Sequence, residues 1–546
     1  MKRVRGRTIR SVAALVAVVV VAAACSSQPT TPANESAGRT VKADIAAKGG
    51  SVTIRLNQDW RDFSVQTTGE GNTQALLQNA YATLLAQDAS GKLIPYLAES
   101  YKATADTITF KLKKDITCSD GTPVTPEVVR ASLQNMVTVK SAYNTVNWGK
   151  GPYTITADDK DGTVTFKTAT PYGPLAYGFS NAFPASMTGI VCPAGLKPGA
   201  DLTTQMYGAG PYTLVDAVHG DHVTFKLRSD FKGGPEGTTS QTAGLPEQVT
   251  YKIVPTDATA VQLLKTGGLD VASIGGTQVA QLLNDQTLSY TRSTGFFVFP
   301  LAFNQAPGKP TADKALRQAL ITAIDPKAFA QAVWQGRAVT SPTIATPDVE
   351  CYDADVAKLA PKPSVDAAKK VLADAGYTLD NGKLTKNGAP VTIHLMTDNT
   401  LNPGPEYIAD QWQQLGVTVN ADNLPYQQYV TKLLASDMDV SFVESNSPGP
   451  IFGPMSQRVT GPVPPKGGTN YAGTYDDTLN SIQAKAIAQS GKASCADWTD
   501  FQEQLWKNWS MLPLGSPYQY MFAKGFDITR ARGSNAYPIN IRKLAG

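Results

Sequence analysis

Few residues in this chain are of the types that perform covalent chemistry, and their spacing does not gather them into a reaction centre. Among 546 residues there are three histidines, His219, His222 and His394. The first two flank Gly220-Asp221, a hairpin-turn pattern, and read as solvated turn residues rather than metal ligands. His394 lies in Val391-Thr392-Ile393-His394-Leu395, an ordinary strand position, so a His-based triad has little to rest on. GxSxG, HExxH, a P-loop and paired-cysteine metal spacing are absent, and Gly69-Glu70-Gly71 opens a dinucleotide-type pattern that fails at Gln74. Asp and Glu are too common for spacing to exclude a carboxylate pair acting on a glycosidic bond. The balance of residue types predicts binding without catalysis, with no cofactor and no metal.

The cysteines and the amino terminus set the compartment. Lys2, Arg3, Arg5, Arg7 and Arg10 precede an unbroken apolar run from Val12 to Ala24, followed by Cys25. The run is too short to span a bilayer but suits the core of a signal peptide over residues 1–24. Ala22-Ala23-Ala24-Cys25 resembles a bacterial lipobox, with Ala22 where a bulky aliphatic residue is usual, and predicts a diacylglyceryl group on Cys25. Cleavage to a freely secreted protein is the alternative, and both imply export. Residues 25–50, rich in Ser, Thr, Pro and Ala, read as the lipidated cysteine and a flexible tether. Cys118, Cys192, Cys351 and Cys495 then suggest two disulfides with three possible pairings.

The formal charge of +4 belongs to the amino terminus: without its five basic residues, 44 Lys and Arg face 45 Asp and Glu. That neutrality excludes a nucleic-acid binder working through bulk positive charge. At 42% hydrophobic and 17% charged residues, the chain can bury large cores, enough for three or four units or two large lobes.

Strand and helix signals alternate along those units. Ile108, Phe110 and Leu112, and likewise Val223, Phe225 and Leu227, alternate with polar residues at the period of half-buried strands. Asn381-Gly382 and Asn387-Gly388 mark tight hairpins. Thr125 followed by Pro126 predicts a helix start, and Ser364 a helix running through Leu372 to a stop at Gly376. No internal repeat is evident, and the mixture predicts an α/β or α+β protein.

Several ordered segments resemble one known family. Leu97-Ala98-Glu99-Ser100-Tyr101, Ile108 to Ile116, and Ser119-Asp120-Gly121-Thr122-Pro123 through Val129 are similar to its most specific signature, with Cys118-Ser119 in place of an aromatic and a His. Gly208-Ala209-Gly210-Pro211-Tyr212, Thr266 to Ala272, Phe303-Asn304, Leu316 to Leu320 with Ala323-Ile324-Asp325, and Ala367 to Tyr377 continue the match in order. They resemble the family 5 extracellular solute-binding proteins of ABC importers, the dipeptide- and oligopeptide-binding type, over about residues 50–540.

The resemblance implies an α/β, two-lobe periplasmic-binding-protein-like fold (type II, cluster C). Lobe one would comprise residues 51–300 and 515–546, with an extra subdomain at about 76–204, and lobe two residues 301–514. Keeping each disulfide within one lobe then favours Cys118–Cys192 and Cys351–Cys495. The implied function is a monomeric, extracytoplasmic lipoprotein, anchored to the cell membrane, that traps a peptide or similar small solute and delivers it to an ABC permease. An oligosaccharide ligand, a non-transport envelope regulator or scaffold, and a secreted hydrolase are the alternatives. Family and residue chemistry place ligand-binding residues at Asn57 and Trp60, at Phe303 and Asn304, at Tyr426, and in the loop Glu444 to Pro450. In peptide-binding members that loop supplies an Asp for the ligand's α-ammonium. Asn446 stands at the matching place here, with Glu444 two residues away as a substitute anion.

Overall fold

A computed structural model of the chain describes residues 38–68, 71–141, 143–182, 185–530 and 537–546. The expected signal peptide over residues 1–24 and the expected lipidation site Cys25 lie outside the described residues.

Two large sheets organise these residues. In the first, strand Ser51–Leu56 buries Val52, Ile54 and Leu56 on one face, the alternation of a half-buried strand. It pairs in parallel with Gln248–Ile253 and Val271–Ile274. The full order is Gly38–Arg39, Leu288–Ser293, Gln519–Lys524, Val271–Ile274, Ser51–Leu56, Gln248–Ile253, His222–Leu227 and Tyr212–Val218. Gly38 and Arg39 pair with Thr291 and Tyr290, and Ile45 bridges Leu544. The expected tether to residue 50 is thereby shortened: within its second half, Gly38–Arg39 pair with the sheet edge and Ile45 and Ala46 with the carboxyl-terminal segment, through backbone groups that Ser/Thr/Pro composition does not reveal.

The second sheet runs Ala338–Val339, Met511–Pro517, Phe297–Phe303, Val440–Phe442, Thr392–Asp398 and Thr418–Leu424, with Ser445–Asn446 also pairing on Phe297–Phe303. Helices beside it carry side-chain caps, of which the sequence predicted the one at Ser364. Asp313 and Asp325 accept backbone N–H groups at the starts of Lys314–Thr322 and Pro326–Trp334, and Ser364 does so for Val365–Asp374. Asn381-Gly382 and Asn387-Gly388 both adopt positive φ and join the meander Tyr377–Asp380, Lys383–Lys386 and Ala389–Pro390.

A separate four-stranded antiparallel sheet, Ala98–Ala103, Thr107–Leu112, Thr163–Thr168 and Tyr153–Asp158, builds the subdomain. Helix Pro126–Thr138, capped by Thr125, covers it, and Phe110, Trp148, Phe166 and Phe179 fill its core. Cys118 is bonded to Cys192 and Cys351 to Cys495.

The fold is therefore a two-lobed α/β architecture. The chain passes between the large sheets at 294–296 and again at 518, where the sequence placed 300–301 and 514–515. The two passages are tied together: the Ser516 hydroxyl donates to the Thr294 carbonyl at 2.8 Å, and the Arg292 guanidinium stands 4.2 Å from the Tyr518 ring centre.

Candidate functional site

The structure separates the expected ligand-binding residues into those that face a cleft and those that build the lobes. Trp60 belongs to the second group. It is 5% exposed, its ring stacks on His219 at 4.2 Å and packs 6.0 Å from Phe63. It therefore has no free face for a solute, and the expected stacking surface is core. The expected solvated His219 is in part a lid on that ring, held by Asp59 at 3.1 Å. Asn57, at the carboxyl end of Ser51–Leu56, is exposed.

Phe303 is fully buried 6.2 Å from Trp412 in the lobe-two core, which corrects its expected place on the cleft wall. Asn304 is also buried. Its side-chain amide donates to the Met438 carbonyl at 3.1 Å and its Oδ1 accepts the Ala306 N–H at 3.1 Å. This is the work of a turn-holding amide. Phe303 ends and Asn304 follows a strand that crosses the lobe interior, so their sequence neighbourhood suggested a cleft that their side chains do not reach.

The third region differs. Strand Val440–Phe442 ends at the cleft and delivers Glu444, while Ser445–Asn446 re-pairs with Val298 and Phe297. The Glu444 side chain is exposed to solvent, yet its protein surroundings hold its carboxyl above the usual carboxylate range through desolvation. A group that solvent reaches while protein surrounds it is a group in a cleft. Arg458 and a hydrogen bond from Asn446 act in the opposite direction, and Asp398 adds to the rise.

Asn446 connects these charges. Its Oδ1 accepts from Arg458 Nη2 at 2.7 Å, and its amide donates to Glu444. Arg458 Nε meanwhile donates to the Glu444 backbone carbonyl at 3.0 Å, and the guanidinium lies 5.3 Å from the Tyr471 ring centre. A carboxamide can accept on one side and donate on the other, as a carboxylate cannot. An Asp here would set a second carboxylate beside Glu444, so Asn446 is a relay between Arg458 and Glu444 rather than a weakened copy of an anion.

Tyr426 completes the wall. It is 50% exposed, and burial of its hydroxyl end pushes its pKa up to about 12, with Glu444, Tyr143, Asp398 and Tyr471 adding to the rise. Tyr143 belongs to the subdomain and the other three, like Tyr426 itself, to lobe two, so the wall is completed across the gap. Tyr429, one helical turn on, is buried and donates to the Phe442 carbonyl, as expected of a tyrosine that packs on its own lobe. Arg458, Tyr471, Asp398 and Tyr143 were not legible in the sequence: no spacing links them to Glu444, and only the fold brings them together.

The arrangement can hold a solute. Glu444 stands in a partly dry cleft with the Asp398 carboxylate near enough to act on it, beside an arginine already engaged and several tyrosines. Among the described residues no group of His, Cys, Asp or Glu could hold a metal ion, and no helix is long and apolar enough to cross a membrane.

Comparison with known proteins agrees with the two-lobed fold. The profile of "Bacterial extracellular solute-binding proteins, family 5 Middle" matches residues 92–456. Heme-binding protein A of Haemophilus influenzae is 25% identical over 450 residues, covering 77% of this chain and 78% of that protein. A substrate-binding protein from Microbacterium hydrocarbonoxydans, solved with 4-hydroxybenzoate hydrazide, superposes with a TM-score of 0.74 at 25% identity, covering 90% of this chain and 100% of that one. The dipeptide-binding protein of a Pseudoalteromonas species, solved with Met-Leu, gives a TM-score of 0.76 at 17% identity over 90% and 100% of the two chains.

Proposed function

Because the chain belongs to the family 5 bacterial extracellular solute-binding proteins of ABC importers, we propose that it traps a small solute bearing a cationic amine, a peptide foremost, between its lobes. It hands that solute to a membrane permease while held to the membrane by a lipid on Cys25. The family consists of transporter solute-binding proteins, and its members act outside the cytoplasm with ABC permeases.

The observation that supports the amine reading is Glu444, a carboxylate in the cleft with its charge incompletely answered. Arg458 is occupied by the Glu444 carbonyl and by Asn446. A carboxylate in low-dielectric surroundings gains most from a partner that brings its own positive charge. Tyr426 and Tyr471 supply aromatic faces on which the body of the solute can lie. A ligand that bridges both walls favours the closed form by its differential affinity for it. Exposure of the Tyr426 ring also suits an oligosaccharide, which would engage the aromatic wall without needing Glu444.

Calorimetric titration with free-amine dipeptides and their N-acetylated counterparts tests the reading. Tighter binding of the free amines supports it, and equal binding of both forms refutes it.

A further inference from the structure

The subdomain also touches lobe two directly along a seam of backbone contacts. The Gly173 N–H donates to the Ile487 carbonyl at 2.6 Å, and Ser490 Oγ reaches back to the Gly173 carbonyl at 3.4 Å. Some distance along the seam, Gln87 is fixed within the subdomain by Ser180 Oγ at 3.0 Å and Asn181 Oδ1 at 3.0 Å, and its amide donates to the Pro448 carbonyl. Ile487 packs against the core clusters on both sides. A cavity of about 340 Å³, lined by Tyr101, Tyr177, Glu350, Phe452 and Trp498, follows the same boundary.

Two glycines make the contact possible. A Cβ on Gly173 would sit 1.7 Å from the Gln489 carbonyl oxygen, and its nearest neighbours are all lobe-two atoms. A Cβ on Gly449 would sit 2.5 Å from the Tyr177 ring, with all its nearest neighbours in the subdomain. Neither glycine has a positive φ, so the backbone at each would accept alanine. Only the opposite lobe forbids the side chain. Residues whose single constraint is close approach across a seam mark that approach as built into the sequence.

We propose that this seam is a latch: the subdomain clasps lobe two through backbone contacts at Gly173 and Pro448, and so stabilises the closed form without help from the solute. The latch fixes how much of the closing free energy the solute must supply, because apparent affinity scales with the fraction of chains already competent to hold it. Gly173 thereby sets affinity from the subdomain, and Gly449 from the far end of the loop that begins at Glu444. The inference rests on the two-lobed fold and is independent of which solute the cleft takes.

Hydrogen exchange on the unliganded, full-length mature protein tests it without any ligand. A closed latch protects the Gly173 amide by at least roughly tenfold over its intrinsic rate, as expected of a bond that opens only with the seam. Gly173→Ala and Gly449→Ala should each increase the radius of gyration in small-angle scattering while keeping the wild-type melting temperature. Intrinsic-rate exchange at Gly173 in the wild type, or scattering curves identical for wild type and both variants, overturns the proposal. If a variant misfolds, the wild-type exchange rate alone decides.

Discussion

Glu444→Gln separates a ligand-binding carboxylate from a structural one, because the two roles predict opposite signs. As a solute anchor, the carboxylate contributes one charge-assisted hydrogen bond in a partly dry cleft, worth about 1.5–3 kcal/mol. Its loss should weaken binding of a free-amine solute by about 10- to 150-fold. The unliganded protein should respond the other way. Desolvation raises the folded-state pKa of Glu444 above 4.5, so the folded chain binds this proton more readily than the unfolded one. Stability from this group is therefore highest below the unfolded pKa and falls as pH rises through the folded one. Gln removes that fall, so the unliganded variant should melt at or above the wild-type temperature at pH 7–8, with the difference closing toward pH 5. Titration calorimetry with free-amine dipeptides reads the first effect, and ligand-free thermal melts across that range read the second. A variant that melts lower at neutral pH and binds as tightly as wild type would show that Glu444 holds the lobe together and would refute the reasoning.

Three further outcomes follow from the side-chain environments. Trp60→Ala should cost about 3–5 kcal/mol in the unliganded protein, the loss typical of a large buried aromatic, because its ring is covered by Phe63 and His219; denaturant melts measure this. Asn446→Asp should fail to improve, and should weaken, binding of free-amine dipeptides, since the new carboxylate pairs with Arg458 and crowds Glu444; calorimetry reads the direction. The Asp221 and Asp216 carboxylates raise the pKa of His222 above 6.5, so its contribution is fully present below pH 6.5 and is lost as pH rises through the folded value. His222→Gln should therefore reduce stability near pH 5.5 by under about 1 kcal/mol, both carboxylates being exposed, and leave it unchanged near pH 9.

How much the sequence revealed depended on how local the determining physics is. Thr125, Ser364 and the two Asn-Gly pairs act within a few residues, and each holds the cap or turn its type predicts. The ordered motifs identify the family because they record a whole fold at once. Trp60 and Phe303 were misplaced because an aromatic beside a loop reads the same whether it faces a cleft or a core, and only the packing of His219 and Trp412 decides. Asn446 reads as a lost charge until Arg458, twelve residues on, is seen against its oxygen. Tyr143 reaches the site through tertiary packing alone. Residues 38–50 look unstructured by composition because an edge-strand pairing depends on backbone groups rather than on side-chain type.

The central claim is that two lobes grip a small solute and leave it chemically intact. Native mass spectrometry of the protein purified gently from its producing cells tests it most directly. The account predicts a single amine-bearing small molecule bound one to one and released unchanged on unfolding. Recovery only of cleaved fragments, or of a solute without a basic nitrogen, would contradict it.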